Sequence, residues 1–378
     1  MSGIEEHLTI CYKETPEGLP IYFDIWPPMP EKSTTSGQSN GTIPSASVVL
    51  YFHGGGLTAG NRRSWFPLWL QRRAVSSGHA FISADYRLLP PATGHDIVKD
   101  IKDLFAFLKD PLLSFTMPSK PGDEQIKFGV DPQSIVVSGS SAGGFCAYLA
   151  AINCISPKPK AILSLYGMGG DLLTPTYLSP KKDPFFRGRE ILDPADFQEY
   201  LYPSITTLQA ISDSPLAYHP ETYHIPGYPA NPRMLLVRLY FQLGIFLDYY
   251  TGEHNPSLSS ILRVELQQHK VDPDTIPSNE SIIAKIPDQH RNLFPQLSVT
   301  SSWPPTMFLH GTADTAVPIH ESRLMHSLIK DAGVPTELVA FEGLEHSFDY
   351  EAGAEERFGE QFDAARNFID LWIGRKSL

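Results

Sequence analysis

Apolar residues in this chain fall in short runs, some with strand character and some at helical spacing, in an alternation that stops midway and then resumes. Residues 8 to 26 alternate apolar and polar around Pro16-Glu17-Gly18, which predicts an antiparallel hairpin. Val48–Phe52 and Ala80–Ala84 predict strands, and Asp96–Lys109 carries Ile97, Ile101, Leu104, Phe105 and Leu108 at helical spacing. Ile135–Ser138 predicts a strand, Ala142–Cys154 a helix of small residues, and Ala161–Tyr166 a further strand. The alternation returns with Thr306–Leu309 (strand), Ile319–Ala332 (helix), Glu337–Phe341 (strand) and Ala352–Ile373 (helix). Short apolar strands separated by helices predict an α/β fold with a mostly parallel central sheet covered on both faces.

Residues 171 to 300 lack this alternation. Helical stretches there, such as Leu235–Tyr250 and Ser257–His269, are joined by Pro-rich turns. A structureless loop of that length is uncommon inside a compact chain, so the segment predicts a helical cap or lid. The expected division is a core of residues 1–170 and 301–378 with a cap of 171–300 inserted in it. Residues 27–47, rich in Pro, Ser, Thr and Gly, predict a flexible loop. Leu235, Leu236, Leu239, Tyr240, Leu243 and Phe246 recur at helical spacing. That stripe reads first as the cap's contact with the core and second as a lining of the site's mouth. Asp213, Glu221 and Arg233 read as solvated surface charges.

Composition narrows the function classes. A chain of 378 residues exceeds the size at which one core stops growing, so one large domain with an insertion, or two domains, is expected. The formal charge of −12 argues against nucleic acid and anionic membrane surfaces as partners. The most apolar segment, Met234 to Tyr250, is interrupted by Arg238 and Asp248 and is short for a bilayer span. The first residues show no basic-then-apolar leader, so a cytoplasmic protein is expected. Cys11, Cys146 and Cys154 are too few and scattered for a disulfide framework or metal site, and the sequence implies no metal or organic cofactor. Nothing in it specifies an oligomeric state.

Two motifs carry chemistry. Ser141 sits in Gly139-Ser140-Ser141-Ala142-Gly143, between a predicted strand and a predicted helix of small residues. A serine on such a sharp turn is exposed above the sheet, and the flanking glycines answer strained, closely packed backbone. The run Val48–Phe52 ends in His53-Gly54-Gly55-Gly56. There Gly55 and Gly56, with Gly54 as a further candidate, can present N–H groups toward the same point as the N–H of Ala142. Donors fixed in advance stabilise charge as it develops on a carbonyl oxygen. His53, at the root of that loop, reads as a structural residue.

A serine hydroxyl needs a base to take its proton, and on such turns the chain order is Ser, then Asp or Glu, then His, each after a strand. His346 follows the predicted strand Glu337–Phe341, and Asp314 follows Thr306–Leu309 as the only carboxylate before the next helix. The catalytic candidates are therefore Ser141, Asp314 and His346. Glu345 is a weaker acid candidate because adjacent side chains point apart. His310 and His320 read as packing or capping residues.

Four pieces in order, His53-Gly54-Gly55-Gly56, Asp85-Tyr86-Arg87-Leu88-Leu89-Pro90, Gly129-Val130-Asp131-Pro132 before a strand, and Gly139-Ser140-Ser141-Ala142-Gly143-Gly144, resemble the hormone-sensitive-lipase-like group of α/β hydrolases. The resemblance implies an α/β-hydrolase fold and a serine carboxylesterase acting on small-molecule esters or lactones. It also implies Ser141, Asp314 and His346 as a triad and Gly55, Gly56 and Ala142 as oxyanion donors. Ser140 departs from the Asp of many relatives, and the loop His310-Gly311-Thr312-Ala313-Asp314 looks more like the dipeptidyl-peptidase and dienelactone-hydrolase branches. The long cap resembles hydrolases of fungal metabolic clusters, some of which form lactones or rings. An acyltransferase or lactone-forming enzyme is thus one alternative. A ligand-binding protein on the same scaffold, like the plant gibberellin receptor, is another.

Overall fold

The computed structural model describes residues 6–29, 43–118, 125–225, 227–268 and 280–374. The hairpin predicted at the start is present: β1 (Leu8–Glu14) pairs antiparallel with β2 (Pro20–Trp26). Then follow β3 (Ser45–Phe52), α1 (Leu68–Ser76), β4 (Ala80–Ala84), α2 (Gly94–Leu108), β5 (Ser114–Thr116), β6 (Lys127–Ser140), α3 (Ala142–Asn153) and β7 (Ala161–Leu165). Residues 171–300 hold short 3-10 turns and the helices α4 (Pro175–Leu178), α5 (Arg233–Leu243), α6 (Phe246–Thr251), α7 (Leu258–Gln268) and α8 (Glu280–Ile283). The chain ends with β8 (Thr306–Gly311), α9 (His320–Asp331), β9 (Thr336–Phe341) and α10 (Ala354–Ile373).

The nine strands form one sheet in the order β1-β2-β4-β3-β6-β7-β8-β9, with β5 beside β6. Pairing is parallel from β4 through β9, while β1, β2 and β5 run antiparallel. Both faces are covered, as the continuous apolar strands predict. Val49, Tyr51, Phe81, Val136 and Leu163 pack on α1 and α10 through Trp69, Leu70, Phe362 and Ile369. On the other face Val48, Leu50, Phe52, Ile82, Ile135 and Val137 join α2, α3, α9 and the 171–300 segment in one continuous cluster.

Several expectations need correction. Residues 45–47 belong to β3 rather than to a loop, because Ser45 and Ala46 pair with Gly129 and Val130. Residues 30–42 of that predicted loop, and His269 at the end of a predicted helix, lie outside the described residues. Gly129-Val130-Asp131-Pro132 falls within β6, not before it, since the strand pairs with β3 on either side of an irregular stretch between Ala46 and Val48. The single helix expected over 235–250 is two: Gly244 adopts a left-handed conformation (φ 64°) and ends α5 against the Leu178 carbonyl. α1 and β5 carried no periodicity long enough to be foreseen.

One buried carboxylate ties α9 to the loop after β7. Glu321 accepts hydrogen bonds from the N–H groups of Gly169 (2.7 Å) and Gly170 (2.9 Å) and from the Tyr177 hydroxyl (2.8 Å). Burial outweighs these bonds and pushes its pKa from 4.5 up to about 8. A raised folded-state pKa gives stability that is complete below about pH 4.5 and lost as the pH climbs through 8. Glu321→Gln, whose amide oxygen can take the same N–H bonds, should therefore show a flatter Tm between pH 5 and pH 8 than the parent protein. Parallel Tm-against-pH curves would exclude this ionisation from the stability profile.

Candidate active site

The loops after β3, β6, β8 and β9 meet at the carboxyl edge of the sheet, where parallel sheets place their ligand crevices. β6 ends at Ser140, α3 begins at Ala142, and Ser141 between them has φ 53°, a left-handed conformation rare for a residue with a side chain. Its backbone is over-determined. The Ser141 N–H donates to the Leu165 carbonyl of β7 (2.9 Å), and its carbonyl accepts from Gly144 (3.0 Å) and Met168 (2.9 Å). The glycines around it answer a close approach: a Cβ on Gly143 would stand 1.9 Å from the Phe52 carbonyl oxygen of β3, and one on Gly139 2.2 Å from the Gly143 carbonyl.

The glycine loop after β3 runs alongside. A Cβ on Gly54 would lie 3.4 Å from Cβ of Ser141, and Gly55 and Gly56 adopt φ values of 107° and 65°. The Gly55 carbonyl is taken by the N–H groups of Thr58 and Ala59 at 3.0 and 3.1 Å. The Gly55 and Gly56 N–H groups bond to no partner among the described residues. Gly54, Gly55 and Gly56 line the same cavity as Ser141; Ala142 is fully buried behind it.

His53 supports this loop from behind. Its Nδ1 is 2.7 Å from the Gly54 carbonyl, and its ring stacks on Tyr86 at 4.4 Å. Burial pushes its pKa down to about 4, so it stays neutral near pH 7. The neighbouring motif explains itself in the same way. Tyr86 donates to the His53 carbonyl (2.8 Å), Asp85 takes the backbone N–H and guanidinium of Arg62 (2.6 and 2.5 Å), and Arg87 is clamped to Asp100 of α2. Ser140, the departure from the usual Asp, hydrogen-bonds the buried Tyr51 hydroxyl at 2.7 Å.

Asp314 and His346 are brought together, with Nδ1 of the imidazole 2.6 Å from Oδ2 of the carboxylate. Oδ1 accepts from the N–H groups of Ala316 (2.9 Å) and Val317 (2.8 Å), which fixes the carboxyl plane. Burial opposes its charge, but the neighbouring His346 and hydrogen bonds from His310 and His346 outweigh it and hold the carboxyl well below its usual pKa. His310 reads from sequence as a packing or capping residue, and the structure adds a contact with Asp314. It is fully buried, with Nε2 3.2 Å from Asp314 Oδ2 and Nδ1 2.7 Å from the Ser322 hydroxyl. Glu345 bonds the Thr315 hydroxyl and the His346 N–H, so it shapes the loop and leaves the imidazole to Asp314. Tyr166 meets the His346 ring edge-on at 4.7 Å and is itself anchored to the buried Asp349 (2.7 Å). Ser141 and His346 line one cavity, although the Ser141 hydroxyl makes no hydrogen bond to a described residue in this conformation.

That cavity, of about 240 Å³, is lined on one side by α5. The residues facing it are Met234, Val237, Arg238 and Phe241, at i, i+3, i+4 and i+7, together with Leu235. Of the stripe read from sequence first as a core contact, Leu236, Leu239, Tyr240 and Phe246 pack into the core, and only Leu235 reaches the cavity. Arg233 is not a solvated charge. It is buried, and its guanidinium donates to the carbonyls of Leu89 (3.1 Å) and Pro90 (2.6 Å), which pins the start of α5 to the core. Sequence reasoning also missed Arg187, Arg189 and Arg238, which line the cavity. A charge at position 238, on the same helical face as Met234 and Phe241, was the available signal.

Comparison with known proteins bears on the fold. A family model described as alpha/beta hydrolase fold matches residues 49–224, and one described as prolyl oligopeptidase family matches residues 283–374. The chain is 26% identical over 356 residues to the non-reducing polyketide synthase ausA of Emericella nidulans, covering 91% of this chain and 13% of the synthase. It is 33% identical over 139 residues to the probable carboxylesterase M8 of Phoma sp., covering 36% of this chain and 40% of that protein. The chain thus spans less than half the length of these two curated relatives. A thermophilic esterase from Thermogutta terrifontis superposes with a TM-score of 0.53 at 20% identity, over 97% of this chain and 92% of its own. An alpha/beta hydrolase superfamily protein from Enterococcus faecalis does so with a TM-score of 0.56 at 16% identity, over 96% and 98%. The fold is the α/β-hydrolase fold.

Gly143→Ala should destabilise the protein by about 3 kcal/mol or more, because the obstacle is the backbone of a central strand, which cannot step aside. Chemical denaturation measures it; a loss below about 1 kcal/mol would mean that the elbow relaxes freely.

Proposed function

We propose that this chain, a member of the α/β-hydrolase superfamily, is a serine carboxylester hydrolase that forms an acyl-enzyme on Ser141. The substrate is an ester or lactone of a small molecule whose acyl part is largely apolar. The observation that carries this is the buried Asp314–His346 hydrogen bond at the wall of the cavity that Ser141 also lines.

His346 takes the Ser141 proton on Nε2, since Nδ1 is committed to Asp314. Serine Oγ attacks the ester carbonyl, and the resulting oxyanion is received by the N–H groups of Gly55, Gly56 and Ala142, with Gly54 beside them. Asp314 stabilises the imidazolium as it forms and stays ionised throughout. The proton passes from His346 to the departing alcohol. Water, deprotonated by the same imidazole, then releases the acid. Residues 171–300 act as a cap, with α5 setting which acyl groups fit. At about 240 Å³ the cavity is below the roughly 300–1,000 Å³ common for drug-sized ligands, which suits a modest acyl group.

A second reading is favoured by one finding, the similarity of nearly the whole chain to part of a polyketide synthase. Here the acyl-enzyme is the same, but a hydroxyl of the substrate, not water, takes the acyl group and a lactone leaves.

A fluorophosphonate probe should label the parent protein and fail to label Ser141→Ala; an unlabelled parent would indicate a binding protein on this scaffold. His346→Ala should lower turnover of short p-nitrophenyl esters roughly a thousandfold or more. A surviving rate within about tenfold of the parent would assign the base to another histidine. Labelling without hydrolysis of any ester would favour the lactone-forming enzyme.

A further inference from the structure

The described residues that line the cavity include three arginines, Arg187, Arg189 and Arg238, and no aspartate or glutamate. This is notable in a chain of formal charge −12. Arg238 is the most informative of the three. Its side chain is 5% exposed, and Nη2 pairs with Glu190 Oε1 at 3.0 Å. Its Nε is buried with no hydrogen-bond partner among the described residues. A guanidinium offers five donors in a rigid fork, and a single carboxylate on one nitrogen leaves most of that fork unused. Glu190 is itself outside the cavity lining and 43% exposed, so it neutralises Arg238 only in part.

The placement is as telling as the charge. Arg238 follows Val237, whose side chain abuts Gly56 closely enough that a Cβ there would stand 2.4 Å away. The cation therefore sits on the same helical turn that closes over the glycine loop. Arg187 is half exposed, its backbone N–H donates to the Thr315 hydroxyl beside Asp314, and its Nε lies 4.0 Å from Glu345. Arg189 is held near it by the paired backbone of Phe185 and Arg189. Met234, Leu235, Phe241 and Phe186 supply apolar walls between these charges.

We propose that these arginines form a binding subsite for an anionic oxygen group on the substrate, a carboxylate or a phosphate, with Arg238 as its anchor and Arg187 and Arg189 at the mouth. The proposal rests on the acyl-enzyme reading and narrows its substrate class, from any small ester to one that carries a negative charge away from the scissile carbonyl. The charge can belong to the acyl part or to the leaving group, and the two are separable by experiment.

Two substrate pairs test it. One is p-nitrophenyl butyrate against the mono-p-nitrophenyl ester of glutaric acid, which adds a carboxylate to the acyl part. The other is butyryl-pantetheine against its phosphate ester, which adds a phosphate to the leaving group. The parent protein should prefer the charged member of one pair by about tenfold or more in kcat/KM, expressed mainly in KM. Preference in the first pair alone locates the anion on the acyl part; preference in the second alone locates it on the leaving group. Arg238→Met should lower that ratio about tenfold, and Arg238→Lys should restore part of it. A purely structural role would lower both rates together and leave the ratio unmoved. Arg189→Met, at an exposed position, should lower the ratio about threefold and covers the case in which Arg238→Met does not fold. Equal rates within both pairs in the parent protein would overturn the proposal while leaving the hydrolase reading intact. If no pair is turned over at all, the hydrolase reading fails, and calorimetric binding of glutarate monobutyl ester to Ser141→Ala against Ser141→Ala/Arg238→Met decides the subsite alone. Equal affinity there would overturn it.

Discussion

Three backbones meet beneath Ser141 at distances that admit no Cβ: the end of β3, the end of β6 and the first turn of α3. The placement of the serine turn beside the glycine loop follows from that contact. Because Gly143 touches the Phe52 carbonyl, the serine turn and the glycine loop that begins at His53 are fixed to each other through the sheet. The nucleophile candidate and the Gly55 and Gly56 N–H groups are thus positioned by main chain, which neither rotates nor relaxes as a side chain does. Electrostatic stabilisation of a developing charge needs this kind of arrangement, set before substrate arrives. Its cost appears locally, as a positive φ at Ser141, and is offset by bonds to β7 and to the Met168 N–H.

The opposite wall is built from buried polar groups, and there the controlling fact is that each has partners. Asp314 remains ionised inside the protein because two imidazoles and two backbone N–H groups face it. Tyr166 meets the His346 ring and reaches back to Asp349, which Trp69 also holds at 3.0 Å. The imidazole is therefore bounded by groups that are each fixed by a deeper one. A loop histidine without that backing would lose its geometry to solvent motion.

Local pattern made much of this legible. Strands that are apolar on both faces announce themselves as continuous runs, which is why β3, β4, β7 and β8 are legible to within a few residues; the edge strand β9 is legible from Leu338-Val339-Ala340-Phe341. Ser141, Asp314 and His346 stand out as candidates because each follows a strand in the chain order such chemistry uses. What could not be read depended on contacts between distant segments. The partnership of His310, at the end of β8, with Asp314 in the loop beyond it is invisible in the sequence. Arg233 looks like any charge beside Asn231 and Pro232 until the carbonyls of Leu89 and Pro90 arrive from another part of the chain. The break at Gly244 was visible as a glycine, but apolar periodicity across it favoured one long helix.

The stripe on α5 reads first as a core contact, and Leu236, Leu239, Tyr240 and Phe246 do pack there; the cavity face beside it is what the pattern leaves open, and it bears on substrate. A hydrophobic stripe shows which side of a helix is buried, but burial against the core and burial against an enclosed cavity produce the same apolar pattern. The discriminating residue is the one that breaks it. Arg238 has no reason in core packing to occupy a largely apolar face, where, among the described residues, its Nε has no partner and the half-exposed Glu190 alone pairs with it. In a low-dielectric cavity such a cation attracts an anion far more strongly than a surface arginine does, because solvent screens it less. For the proposed acyl-enzyme, apolar walls and a buried guanidinium are therefore complementary features: the walls fit an acyl group by shape, and they strengthen the pull of Arg238 on an anion.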